Sequence, residues 1–190
     1  KALTVSSGDG IALTGEALAY LWLEQLDKSL EAARQASRLA YRQEFITVNM
    51  CYVYLQLGLL DDALAICKRY LANNPRAFRV YYNLGFVYIM QGKPKDAGSA
   101  FYKVTQIEPA FAAAYNNLGY CLWHLKRYAK AIQAFEDTIN IEPQVLEGHF
   151  NLGLAYAEIG RYDEAKDKFE DVLEVNPQHF EAQVCLREVK

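Results

Sequence analysis

Along residues 112–145 the apolar side chains fall into two runs of helical spacing. Tyr115, Leu118, Gly119 and Leu122 form one stripe, and Tyr128, Ala131, Phe135 and Thr138 form the next. Between them lies a turn at Lys126–Arg127, and behind them asparagine and acidic residues lead to Pro143, which cannot continue a helix. The pattern predicts two antiparallel helices, and it recurs. Pro75, Pro109, Pro143 and Pro177 stand 34 residues apart, and the same interval relates Ala63, Ala97, Ala131 and Ala165, then Gly85, Gly119 and Gly153, then Phe101, Phe135 and Phe169. At the turn the sister units carry Gly58, Gly92 and Gly160, residues that tolerate the left-handed backbone ending a helix.

A helix pair of this size cannot bury its apolar face alone and must stack on its neighbours. The expected fold is therefore all-α, a right-handed superhelical solenoid of stacked antiparallel helix pairs, with units at 44–77, 78–111, 112–145 and 146–179. Gly119 and Ala131 are small because two helices cross closely there, and Phe135 is expected to fill the gap against the next unit. Residues 15–43 read as a degenerate capping pair about three residues short, with Leu18, Leu21 and Trp22 in its first helix and Ala32, Ala36 and Leu39 in its second. Residues 180–190 read as a C-terminal capping helix, and the polar, Ser/Gly-rich residues 1–14 as a flexible segment.

An aromatic or large residue, then Leu-Gly, then Tyr or Leu, and later Ala, Phe and Pro, all at 34-residue spacing, resembles the tetratricopeptide repeat over residues 44–179. The departures are Thr47 and His149 at the aromatic position, Cys51 for the first-helix glycine, Cys67 for the phenylalanine and Lys126 for the turn glycine. The resemblance implies a scaffold that binds proteins rather than an enzyme.

Composition narrows the alternatives. The chain is 52% hydrophobic and 23% charged, which suffices for a continuous core, and it has no 18-residue uncharged run. A net charge of −3 lacks the basic footprint of a nucleic-acid binder. Cys51, Cys67, Cys121 and Cys185 sit at mostly core-type positions without CxxC pairing, which reads as buried thiols and leans toward a reducing, cytoplasmic setting. The chain starts at Lys1 rather than methionine, so a fragment or processed form is expected, and a periplasmic or membrane-anchored parent stays open.

No nucleophile elbow, zinc-protease, phosphate-loop or dinucleotide signature is present. His124, His149 and His179 are isolated from other metal-ligating residues at helical spacing, so no metal and no cofactor are expected. Acidic pairs such as Asp61–Asp62 and Asp163–Glu164 stand at the starts of second helices, where the helix dipole accounts for them.

The candidate site is the first-helix face that repeat packing leaves free. Asn49, Asn83, Asn117 and Asn151 recur there at each period, and an asparagine amide complements the C=O and N–H of a peptide unit. The array resembles the asparagine ladder of the tetratricopeptide superhelix in O-GlcNAc transferase, which implies a grip on main chain. Phe45, Tyr52, Tyr82, Phe86, Tyr120, Trp123 and Phe150 lie near the ladder and are expected to line the same groove. Packing between adjacent first helices is the alternative for some of these rings. Co-chaperones of this family that clamp acidic C-terminal tails carry Lys and Arg where this chain has Val48, Tyr52, Asn83, Ala113 and Asn117, so a carboxylate clamp is not expected. The expected function is a scaffold or adaptor, chaperone-like in its groove chemistry, that holds an extended partner segment. The alternatives are a self-associating assembly module, hence a homo-oligomer, or the substrate-recruiting arm of a larger enzyme.

Overall fold

The computed structural model describes residues 7–39 and 43–189. Among them are eleven helices and no strand: α1 (Ser7–Trp22), α2 (Leu26–Leu39), α3 (Glu44–Gln56), α4 (Leu60–Leu71), α5 (Phe78–Met90), α6 (Pro94–Ile107), α7 (Ala112–His124), α8 (Tyr128–Ile141), α9 (Leu146–Glu158), α10 (Tyr162–Val175) and α11 (Phe180–Glu188). The starts of α3, α5, α7, α9 and α11 are each 34 residues apart. The chain forms two compact units, residues 1–93 with α1–α5 and residues 94–190 with α6–α11. In the first, α1 packs on α2, α2 on α3, α3 on α4 and α4 on α5; in the second, each helix from α6 to α11 packs on the next.

Local chemistry marks the helix ends. Asp61 and Asp62 stand in the first turn of α4, and Asp163 and Glu164 in that of α10, where carboxylates face the positive end of the dipole. Pro94 opens α6 at the position that loses no helical hydrogen bond. The α11 N-terminus is capped by His179, whose Nδ1 accepts from the Ala182 N–H at 3.2 Å. Each helix pair turns through one left-handed residue: Gly58, Gly92 and Gly160 at φ 72°, 69° and 77°, and, without glycine, Glu24 at 56° and Lys126 at 57°.

Glu24 precedes Gly58 by the full 34 residues, so the N-terminal pair is in register with the rest rather than three residues short. Ala17 and Ala33, both fully buried, hold its counterparts of the first-helix glycine and the second-helix phenylalanine. The expected flexible segment is also shorter. Residues 1–6 lie outside the described residues, but 7–14 form the first turns of α1, where buried Thr14 donates to the Gly10 carbonyl at 2.7 Å and so satisfies its hydroxyl locally.

The core runs through the helix crossings. An added Cβ on Gly119 would lie 2.5 Å from the Phe135 ring, and one on Gly153 would lie 2.6 Å from Phe169. Phe135 therefore fills the crossing of its own unit first, while also joining the cluster of Leu152, Ala155, Tyr156 and Phe169 in the next.

Candidate functional site

In the first unit Phe45, Asn49 and Tyr52 share one face of α3, by the four- and three-residue spacing of the helix. Phe45 is 57% exposed and Tyr52 44% exposed. Tyr52 and Asn49 line a cleft of about 780 Å³ whose other wall is Leu18, Ala19, Trp22 and Leu23 from α1 and the turn after it. Trp22 is 83% exposed and Leu23 63% exposed, the most solvated large apolar pair of the unit. The sequence reading placed Trp22 in the apolar pattern of a cap and missed this role. The signal was available, since Leu18 precedes Tyr52, Phe86 and Tyr120 on the 34-residue ruler and so continues the aromatic column. Tyr82 and Phe86, one turn apart on α5, are half-buried and meet edge to face at 5.1 Å.

In the second unit Tyr120 is exposed and packs edge to face on His124 at 4.4 Å. Trp123 and Phe150 depart from the groove expectation. Both are half-buried against the hydrophobic cluster of α8–α10, Phe150 with its ring 5.8 Å from that of Phe169. The buried Nε1–H of Trp123 has no acceptor among the described residues. For these two rings the inter-helix packing alternative describes the geometry.

The asparagines are largely engaged within the protein. Asn83 Nδ2 donates to the Val48 carbonyl on α3 at 2.9 Å, and Asn151 Nδ2 donates to Asn116 Oδ1 on α7 at 3.0 Å. Each bond spans 35 residues, so the ladder ties one first helix to the preceding one. Asn49 Nδ2 donates to the Phe45 carbonyl of its own helix at 2.7 Å. Asn117 is half-buried beside Asn116. These N–H groups are already directed at internal acceptors, which leaves the aromatic column as the ligand-facing chemistry.

His149 is an anchor. Its Nδ1 meets Asp171 Oδ2 on α10 at 3.1 Å and its Nε2 meets the Pro143 carbonyl at 3.0 Å. Burial would raise the Asp171 carboxyl, but Lys168 and His149 outweigh it and hold the group below its ordinary value. Among the described residues no group of three or more His, Cys, Asp or Glu side chains is placed to hold a metal ion. No helix among them is long and apolar enough to cross a membrane.

A second cleft, of about 450 Å³, opens between α6, α7 and the start of α8. It lies beside Gly98, where the other units carry Leu30, Leu64, Ile132 or Lys166. Its floor is Leu118, Cys121, Leu122 and Leu125, and its rim is Lys95, Arg127 and Lys130. Burial pushes the Cys121 thiol up to about 11.

Helix pairs of constant length, joined by left-handed turns and crossing at a glycine, define a protein-interaction scaffold of the repeat class. Models of the tetratricopeptide repeat match residues 52–110 and 110–178, and the chain belongs to this family. Its members bind protein partners and are generally non-catalytic. Similar solved structures include MamA, at 24% identity and TM-score 0.76 over 89% of this chain and 92% of that one. A tetratricopeptide repeat protein from Parabacteroides merdae gives 16% identity and TM-score 0.81 over 96% and 73% of the two chains. YrrB, described as having an unusual peptide-binding site, gives 18% identity and TM-score 0.73 over 95% and 94%. No curated protein matches the sequence.

Proposed function

We propose that the protein is a non-catalytic adaptor that holds an extended apolar segment of a partner protein, with the α1–α3 cleft as its principal contact. The observation that carries the reading is the exposure of Trp22 and Leu23 opposite Tyr52 across one apolar cleft. Core packing does not use these surfaces, and aromatic side chains of this kind dominate binding energy where they become desolvated. The peptide-binding site named for YrrB gives the fold a precedent. The asparagines set the spacing of the first helices on which the aromatic column stands, while Phe45, Phe86 and Tyr120 extend the apolar contact.

The test is capture of partners by the wild-type chain and by Trp22→Ala/Tyr52→Ala, followed by titration of the captured segment as a synthetic peptide. The double variant should lose roughly 2 kcal/mol or more of affinity, about thirtyfold, with an unchanged melt. Equal affinity of the variant and the wild type would refute the cleft.

Charge segregation favours a second reading, self-association. Residues 131–190 carry thirteen carboxylates against five Lys and Arg, whereas residues 94–130 carry five basic side chains against two acidic ones, including the basic rim of the α6–α8 cleft. Copies pairing unlike faces would dissociate as salt screens them. Sedimentation showing a monomer at every concentration in low salt would remove this reading.

A further inference from the structure

In the second unit each helix crossing is filled by a glycine facing a phenylalanine, Gly119 with Phe135 and Gly153 with Phe169. Residues 44–77 fill the same two places with cysteines. Cys51 on α3 and Cys67 on α4 are both fully buried, and their sulfurs are 3.2 Å apart. Two side chains of middling size replace one absent and one large side chain, so packing alone explains their volume. Ala17 and Ala33 satisfy that requirement in the N-terminal pair without sulfur. Packing does not require the two sulfurs to face each other, and the gap between them is only about 1.2 Å longer than a disulfide bond.

We propose that Cys51 and Cys67 form a dithiol site that a low-molecular-weight disulfide of the glutathione class oxidises to an intramolecular disulfide, stapling α3 to α4. One cysteine, as thiolate, attacks the small disulfide, forms a mixed disulfide and expels one small thiolate. The second cysteine, as thiolate, attacks the protein sulfur of that mixed disulfide, forms the Cys51–Cys67 bond and expels the other. The pair gives up two electrons, and the two protons end on two small thiols.

The Cys67 thiol is held far above its ordinary value by its hydrogen bond to Cys51 and by burial, so exchange proceeds when the α3–α4 hairpin opens rather than in the closed fold. The bond closes a short loop and restricts the unfolded chain. It also fixes the helix that carries Asn49 and Tyr52.

The test refolds the 190-residue chain from denaturant in graded mixtures of reduced and oxidised glutathione, alkylates the remaining thiols, and maps the products by mass. The expected product has lost two hydrogens, yields a linked Cys51–Cys67 peptide, and keeps Cys121 and Cys185 alkylated. Its melt should lie roughly 5–10 °C above that of the reduced chain. Cys51→Ala/Cys67→Ala should melt identically in both buffers. A refolded native chain with four alkylatable thiols at every ratio, or one linked through Cys121 or Cys185 instead, would overturn the proposal.

Discussion

Gly119→Ala places a methyl group where the structure has the Phe135 ring. The added Cβ would lie 2.5, 2.7 and 2.9 Å from three ring carbons, closer than such contacts occur, and the ring is wedged between α7 and α8 with 2% exposure. The ring must move or the helices must separate. Overpacking of this kind costs about 1–3 kcal/mol, and the better helix propensity of alanine returns about 1 kcal/mol, so a net loss of about 1–2 kcal/mol is expected. Gly98→Ala in the same unit is the control. Its Cβ would meet Cys121 Cβ at 3.4 Å, an ordinary contact, so the propensity gain of up to about 1 kcal/mol should survive as stabilisation. Urea titration followed by fluorescence reports this unit through Trp123, which packs against its core. Phe135→Leu should relieve the clash, so the double variant Gly119→Ala/Phe135→Leu should be more stable than the sum of the single changes implies. The crossing argument is refuted if Gly119→Ala and Gly98→Ala shift the midpoint in the same direction.

Lys126→Gly should stabilise the second unit by about 0.5–1 kcal/mol, because glycine relieves the left-handed strain at φ 57° by more than its added unfolded entropy costs; a lower melting midpoint would contradict this. Asn83→Ala should cost about 1 kcal/mol of stability through loss of the bond to the Val48 carbonyl, in contrast to a purely ligand-facing asparagine, which would leave the melt unchanged. The Asp171 carboxyl is held below its ordinary value, so its contribution is present above the unfolded value and is lost as pH falls through the folded one. With the carboxylate 40% exposed, that contribution should be at most about 1 kcal/mol. Melts of the wild type and Asp171→Asn should therefore differ at neutral pH and converge in acid, and a gap that widens in acid would reverse the sign.

The fold was legible because its markers are residues with few conformational options. Proline ends a helix wherever it falls, and glycine marks a turn or a close crossing, so the ruler located α3 to α11 from composition and spacing. The N-terminal pair lacked those markers: Glu24 adopts the turn conformation without glycine, and Ala17 and Ala33 replace the crossing pair, so its register was misread. The asparagine ladder was visible, but its direction was not. Whether an amide points into a groove or back to the preceding helix depends on the rotation of two first helices about their axes, which no spacing within one helix encodes. Trp123 and Phe150 were obscured for the same reason. Rings three or four residues from the ladder can lie on either side of the line where adjacent helices touch.

The two kinds of inter-helix contact differ in what they demand of a neighbour. The glycine–phenylalanine fit of the second unit, like the paired cysteines of the first, joins the two helices of one repeat, so the most shape-sensitive match travels with its own segment. The Asn83 bond, by contrast, crosses a joint between repeats and ends on a main-chain carbonyl, which every residue type supplies. Steric specificity thus resides inside each module, while this joint is permissive. A chain built this way can gain or lose whole 34-residue segments by recombination and retain its crossings, whereas a break within a segment would separate residues selected to fit each other.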